Sequence, residues 1–170
     1  MVGVAMSGGS DKLQRPERKV TIIGWMEYVD LPNLGLKNLK AKIDTGARTS
    51  AIHAHDITLF RRDDADWVRF RTDTENGEVG DWIESPVHET RSIKNTSGVP
   101  EDRVVIRTKL RLANRSWMID LSLTDRSNMT FMLIVGRTAL KNHSIAVDTR
   151  RTLVTRPRPK NSPTGRKDFQ

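Results

Sequence analysis

Cysteine is missing altogether from the 170 residues. That excludes disulfides and thiolate-ligated metal, and a reducing compartment fits. Aromatics are scarce: one Tyr, four Trp and four Phe. Only Phe169 interleaves with the basic C-terminal residues, so a stacking platform for single-stranded nucleic acid is not supported. No apolar run approaches the roughly 18 residues of a membrane span. The opening stretch MVGVAMSGGSDKLQRPERK has neither a charged n-region nor a signal-length apolar run. The expectation is a soluble, cytoplasmic protein without a membrane partner. A glycine-rich phosphate loop is also missing, since GRTALK lacks both the glycines and the Lys-Ser/Thr ending, and ATP is not expected as a cofactor.

Charge is plentiful but unevenly placed. The formal net charge is +8. Seven Lys and Arg between Arg150 and Gln170 face one acid, Asp168, and residues 1–20 carry four bases against two acids. The stretch between is neutral, so the basic pI near 10.2 belongs to the ends and does not mark a nucleic-acid footprint on the fold. The ending RPRPKNSPTGRKDFQ is rich in Pro, Lys and Arg and has little to bury. Three segments are expected: a flexible N-terminal stretch (1–18), one domain (19–154) and a basic disordered tail (155–170). Weak polyanion contact is the most the tail suggests.

Extended structure dominates the remaining pattern. Residues 19–29 are β-branched and apolar, and LKAKI alternates, with Lys40 and Lys42 opposite Leu39, Ala41 and Ile43. Another run follows over TSAIHAHDITLFRR, then DWVRFRTD, with Asn76–Gly77 the strongest short hairpin signal. Trp67 and Trp82 flank that turn and are expected to pack across it. Pro86 implies that the strand over 82–94 is edge-like or bulged. Val104, Ile106, Thr108, Leu110 and Leu112 face away from Arg107, Lys109 and Arg111. RSWMIDLSLTD answers with Trp117, Ile119, Leu121 and Leu123, giving a long hairpin, half buried and half wet. MTFMLIVG is continuously apolar, RTALKN is the one short helix candidate, and IAVD and TLV are candidate closing strands. The fold class is all-β, a barrel or sandwich.

The chemically pointed stretch is AKIDTGARTSAIHAHD (41–56). A carboxylate at a strand end, followed by a hydroxyl residue and a glycine, is what water activation on an amide requires. Two such carboxylates brought together share one proton, one acting as base and one as acid. Glycine permits close backbone approach. Asp-Thr-Gly is also an ordinary turn, so a catalytic Asp44, a His53/His55 metal pair and a plain strand–turn–strand all remain open on the residues alone.

AKIDTGA followed some ninety residues later by LIVGRTAL resembles the retropepsin fold of aspartic peptidases. More narrowly, KAKIDTGARTSAIHA with VGRTAL and a following VD resembles a bacterial and archaeal family long described as ATP-dependent zinc proteases and regarded as retropepsin-like. The resemblance covers roughly residues 20–154. It implies an all-β, closed or partly open acid-protease barrel with one short helix after Gly136. It also implies catalytic Asp44, a cross-subunit hydroxyl on Thr45, close approach at Gly46 and a Gly136–Arg137 loop behind the site. Ala47 and Arg48 then lie at the substrate, and Asn76–Gly77 is the flap candidate. No acid follows the DTGA segment here, so Arg137 needs another partner, or Arg48 faces the cleft and selects acidic substrates. The family is sometimes encoded beside ligases that add glutamates to proteins, which makes an acidic protein segment a candidate substrate.

The chain has one DTG; DTE at 73–75 and DTR at 148–150 lack the glycine. A second carboxylate must therefore come from another copy, and a homodimer acting on a protein or peptide is expected. The alternative is a catalytically silent module that binds peptides or partners. His53 and His55 share a strand face, but a zinc site normally needs three protein ligands. With only His88 and His143 besides, zinc is not expected and hydrogen-bonded histidines are the default. The Arg107/Lys109/Arg111 stripe and Glu101–Asp102 are expected to be solvated surface.

Overall fold

A computed structural model describes residues 19–94 and 97–156. The expected N-terminal segment and residues 157–170 of the expected tail lie outside them. The chain forms strands β1 (Thr21–Leu31), β2 (Leu36–Asp44), β3 (Ser50–His53), β4 (His55–Arg62) and β5 (Ala65–Arg71). These are followed by β6 (Ile83–Lys94), β7 (Pro100–Leu112), β8 (Arg115–Thr124), β9 (Leu133–Gly136), the one-turn helix α1 (Arg137–Leu140) and β10 (Ile145–Thr152). The expected all-β barrel with a short helix after Gly136 is the observed architecture.

Neighbouring strands run β10-β1-β2-β9-β3-β8-β7-β6-β5-β4, and an Asp30–Arg111 pairing joins β1 to β7. That closes β1, β2, β9, β3, β8 and β7 into a barrel, with β6, β5 and β4 continuing outward from β7. The central feature is β9. It lies parallel to β2, with Asp44 opposite Gly136, and antiparallel to β3, with Ala51 opposite Ile134. The strand after the motif and the strand before the helix are thereby locked side by side.

Alternation puts the core inside. Ile106, Leu110, Leu112, Ile119, Leu121 and Leu123 are buried, while Arg107, Lys109 and Arg111 are exposed. Fully burying such aliphatic side chains stabilises by about 1.5–3 kcal/mol each. The β7–β8 connection is a two-residue turn, Ala113–Asn114, with φ of 52° and 59°, closed by the Leu112–Arg115 pair.

Several local expectations change. The run over TSAIHAHDITLFRR divides at Ala54, so that β3 belongs to the barrel and β4 to an outer hairpin. Pro86 is bulge-associated and not at an edge. β5 pairs with β6 through Ile83–Pro86 and β7 takes over from Val87, with a register shift before Glu89. The residue without an N–H thus sits where the strand exchanges partners. Trp67 lies against Phe60 and Arg62, whereas Trp82 lies under Arg69 and Arg71, so each has its own partners. In MTFMLIVG only Leu133–Gly136 is strand, and IAVD and the following residues form the single strand β10, parallel to β1.

Beyond β10, residues 153–156 strap across β1. The fully buried Glu27 accepts from the amides of Gly24, Val154 and Thr155 and from the Thr155 hydroxyl. Arg156 reaches Asp30 with both terminal nitrogens, at 3.1 and 2.9 Å.

Candidate active site

Asp44 is the last residue of β2. Alternation along that strand sets Lys40, Lys42 and Asp44 on one side, and Lys42 Nζ lies 3.2 Å from Asp44 Oδ2. The chain then turns. The Ala47 amide donates to Asp44 Oδ1 at 3.1 Å and to the Asp44 carbonyl at 3.2 Å. Partial burial pushes the Asp44 carboxyl up, but the Ala47 amide, Lys42 and the Gly46 amide together outweigh it. The group is held below its ordinary value of 3.8. Thr45, Gly46 and Arg48 are exposed and Ala47 is half-buried.

The Gly136 loop fixes this turn from behind. A Cβ on Gly136 would meet the Thr49 carbonyl carbon at 2.5 Å and its oxygen at 2.6 Å. Only glycine allows that approach. The amides of Arg137 and Thr138 donate to the carbonyls of Ala47 and Arg48, and the Thr138 hydroxyl donates to Arg48 O at 2.7 Å. The partner that Arg137 lacked in the sequence is the Gly46 carbonyl, 2.9 Å from its guanidinium. Arg48 takes part in this clamp through its carbonyl. Ser50 Oγ accepts from the Gly136 amide, and Ser122 Oγ donates to Ser50 O.

Cations gather in front. Lys40, Lys42 and Arg126 line a cavity of about 430 Å³ whose apolar wall includes Trp25, Met129 and Phe131. Arg126 is held to the Phe131 carbonyl at 3.2 Å. Burial lowers its pKa and repulsion from Arg103 adds to this, while Asp44 opposes both. Arg103 belongs to β7, so charge from the β6–β7 hairpin acts on Arg126. The Asn76–Gly77 turn, the flap candidate, follows β5. It is a three-residue loop with Gly77 at φ 76°, closed by Gly77 N to Thr74 O and Thr74 N to Glu78 O.

That turn leads to the histidines. His53 is buried, and its Nε2 lies 3.0 Å from His55 Nε2, which is 2.6 Å from Asp73 Oδ1. On the far side of the ring, the Arg126 amide donates to His53 Nδ1 at 2.7 Å, and Asp125 Oδ1 is 3.5 Å away. Burial lowers the His53 pKa and His55 lowers it further, against the raising effect of Asp73 and Asp125. The remaining histidines differ in kind: His143 stacks on Trp117 at 4.3 Å, and His88 lies 3.9 Å from Asp120.

Sequence reasoning missed Lys42, Arg126 and Asp73. Lys42 was legible, since two residues apart on a strand means one face. Arg126 and Asp73 arrive through long-range pairing and carry no local signal.

A family model described as "Retropepsin-like aspartic endopeptidase RimB" matches residues 22–158. The chain belongs to the RimB-like family. It is 44% identical over 125 residues to a protein of Parasynechococcus marenigrum named "Probable alpha-L-glutamate ligase". It is 36% identical over 126 residues to one of the same name from Shewanella pealeana. These matches take in 72% and 73% of this chain but 27% and 28% of those proteins, so it spans about a quarter of the length of the relatives. Among solved structures it resembles protein Lpg0085 (DUF785) of Legionella pneumophila, a protein of unknown function. The TM-score is 0.68 at 28% identity, covering 79% of this chain and 98% of that one. No helix among the described residues is long and apolar enough to cross a membrane.

Proposed function

We propose that two copies of this chain pair so that their Asp44 carboxylates face one another and activate a water against a peptide bond. The observation that carries this reading is the clamp of the Gly136 loop on residues 46–50, which holds a half-exposed carboxylate on a rigid turn. Gly46 supports it from another side. Among the described residues of one chain, a Cβ at Gly46 would meet only Asp44 Oδ1, at 3.4 Å, so their packing does not require a glycine there. Close approach of a second copy does. One carboxylate of the pair takes a proton from water while the other, protonated, hydrogen-bonds the carbonyl oxygen.

The substrate class proposed is an acidic, glutamate-rich protein segment. Lys40, Lys42 and Arg126 supply positive charge beside the carboxylate, and the apolar wall suits the aliphatic part of a glutamate side chain. Relatives named as glutamate ligases support the same chemical class.

One observation favours a second reading, a silent peptide-binding module: Lys42 already neutralises Asp44 within the subunit. Asp44→Asn separates the two. Under the first reading the wild type cleaves glutamate-rich peptides and the variant does not. Under the second neither cleaves, and both bind. A strict monomer by sedimentation at working concentration overturns the dimeric site.

A further inference from the structure

Away from Asp44, potential ligand atoms converge among the described residues around the end of β3. The antiparallel pair His55–Arg71, continued by two residues, brings Asp73 opposite His53. His53 Nε2, His55 Nε2 and an Asp73 carboxylate oxygen all lie within 4.8 Å of one another. The third ligand that the sequence lacked is supplied by the fold.

Proton placement at this cluster is contradictory. Because the Arg126 amide donates to His53 Nδ1, a neutral His53 carries its proton on Nε2, pointing at His55 Nε2. His55 Nε2 must then be bare, yet it lies 2.6 Å from a carboxylate oxygen with no proton between them. Giving His55 that proton sets two N–H groups head to head at 3.0 Å. No protonation of the two rings satisfies every contact. A cation at the centre lets all three converging atoms direct lone pairs at it, at the cost of the Arg126 amide contact on the far side of the ring.

We infer that His53, His55 and Asp73 form a binding site for a divalent transition metal of the zinc class. Two imidazoles with one carboxylate suit such ions, whereas magnesium and calcium prefer all-oxygen shells. Three protein ligands leave one position open, and Asp73 also lines an adjoining cavity of about 390 Å³. On metal binding, the His53 proton moves to Nδ1, where Asp125 Oδ1 at 3.5 Å is the acceptor, a common outer-shell arrangement. The Arg126 amide must then release the ring, so the ion also acts on the segment that bears Arg126. This site stands independently of the peptidase reading.

The test uses untagged full-length protein, stripped with chelator and titrated separately with Zn²⁺ and Co²⁺. One equivalent per chain, a visible cobalt absorption spectrum and a raised Tm are expected. His55→Ala and Asp73→Asn, each checked for folding by circular dichroism, should lose roughly 100-fold or more in affinity, at least matching the outer-shell effect. His88→Ala, in the second group of potential ligands with Glu89 and Asp120, and Asp44→Asn should bind as the wild type does. Absence of stoichiometric binding to folded wild type, or binding unchanged in both His55→Ala and Asp73→Asn, overturns the site.

Discussion

Gly136 and Thr49 are in backbone contact so close that a methyl group on Gly136 would fall 2.5 Å from the Thr49 carbonyl carbon. Because the obstacle is backbone and not the end of a flexible side chain, the two segments must separate to admit it. Gly136→Ala should therefore cost about 3 kcal/mol, the upper end of overpacking penalties. Urea unfolding would measure this as a lower midpoint at unchanged slope. Amides of residues 46–50 should also exchange faster.

The Lys42–Asp44 pair makes a prediction with a definite sign. A cation beside the carboxylate lowers its pKa, so a pair of Asp44 groups is singly protonated over a lower pH range than it would be without Lys42. Lys42→Met should move the pH–rate window for peptide cleavage upward. A profile that stays in place or moves downward contradicts this.

Asp30 tests the strap. Burial raises its pKa, but hydrogen bonds from Arg156 and the Asn38 amide, with the charges of Arg156 and Arg111, hold it below 3.8. A depressed folded value means that the stabilisation is complete above the unfolded pKa and is lost as pH falls through the folded one. Asp30→Asn should lower stability at neutral pH by about 2 kcal/mol. It should also flatten the loss of stability seen on acidifying below about pH 4. Urea midpoints across that range check both.

Substrate charge is tested at Arg126. Arg126→Gln should raise KM for glutamate-rich peptides about tenfold while changing kcat less, as expected for one lost charged contact of about 1.4 kcal/mol. Added salt should narrow the gap between variant and wild type only modestly, because this guanidinium is partly buried.

What the sequence made legible follows the range of the interactions involved. Alternation along Val104–Leu112 and Trp117–Leu123 specifies faces residue by residue, and the hairpin formed accordingly. The Asp44 turn and the Gly136–Arg137 loop were locatable because each is a short motif at a strand end. Asp73 was not, since only the β4–β5 pairing carries it to His53 and His55. The Asn76–Gly77 signal correctly marked a turn, but it carried no information about the partners that Asp73, three residues before it, would find. Pro86 marked an interruption, and pairing on both flanks decided that it would be a bulge.

The central claim is that one active site needs two Asp44 side chains. Mixing wild type with Asp44→Asn at fixed total concentration, under conditions of subunit exchange, and following cleavage of a glutamate-rich peptide tests it most directly. The account predicts activity that falls as the square of the wild-type fraction. A linear decline, or no cleavage by the wild type alone, would contradict it.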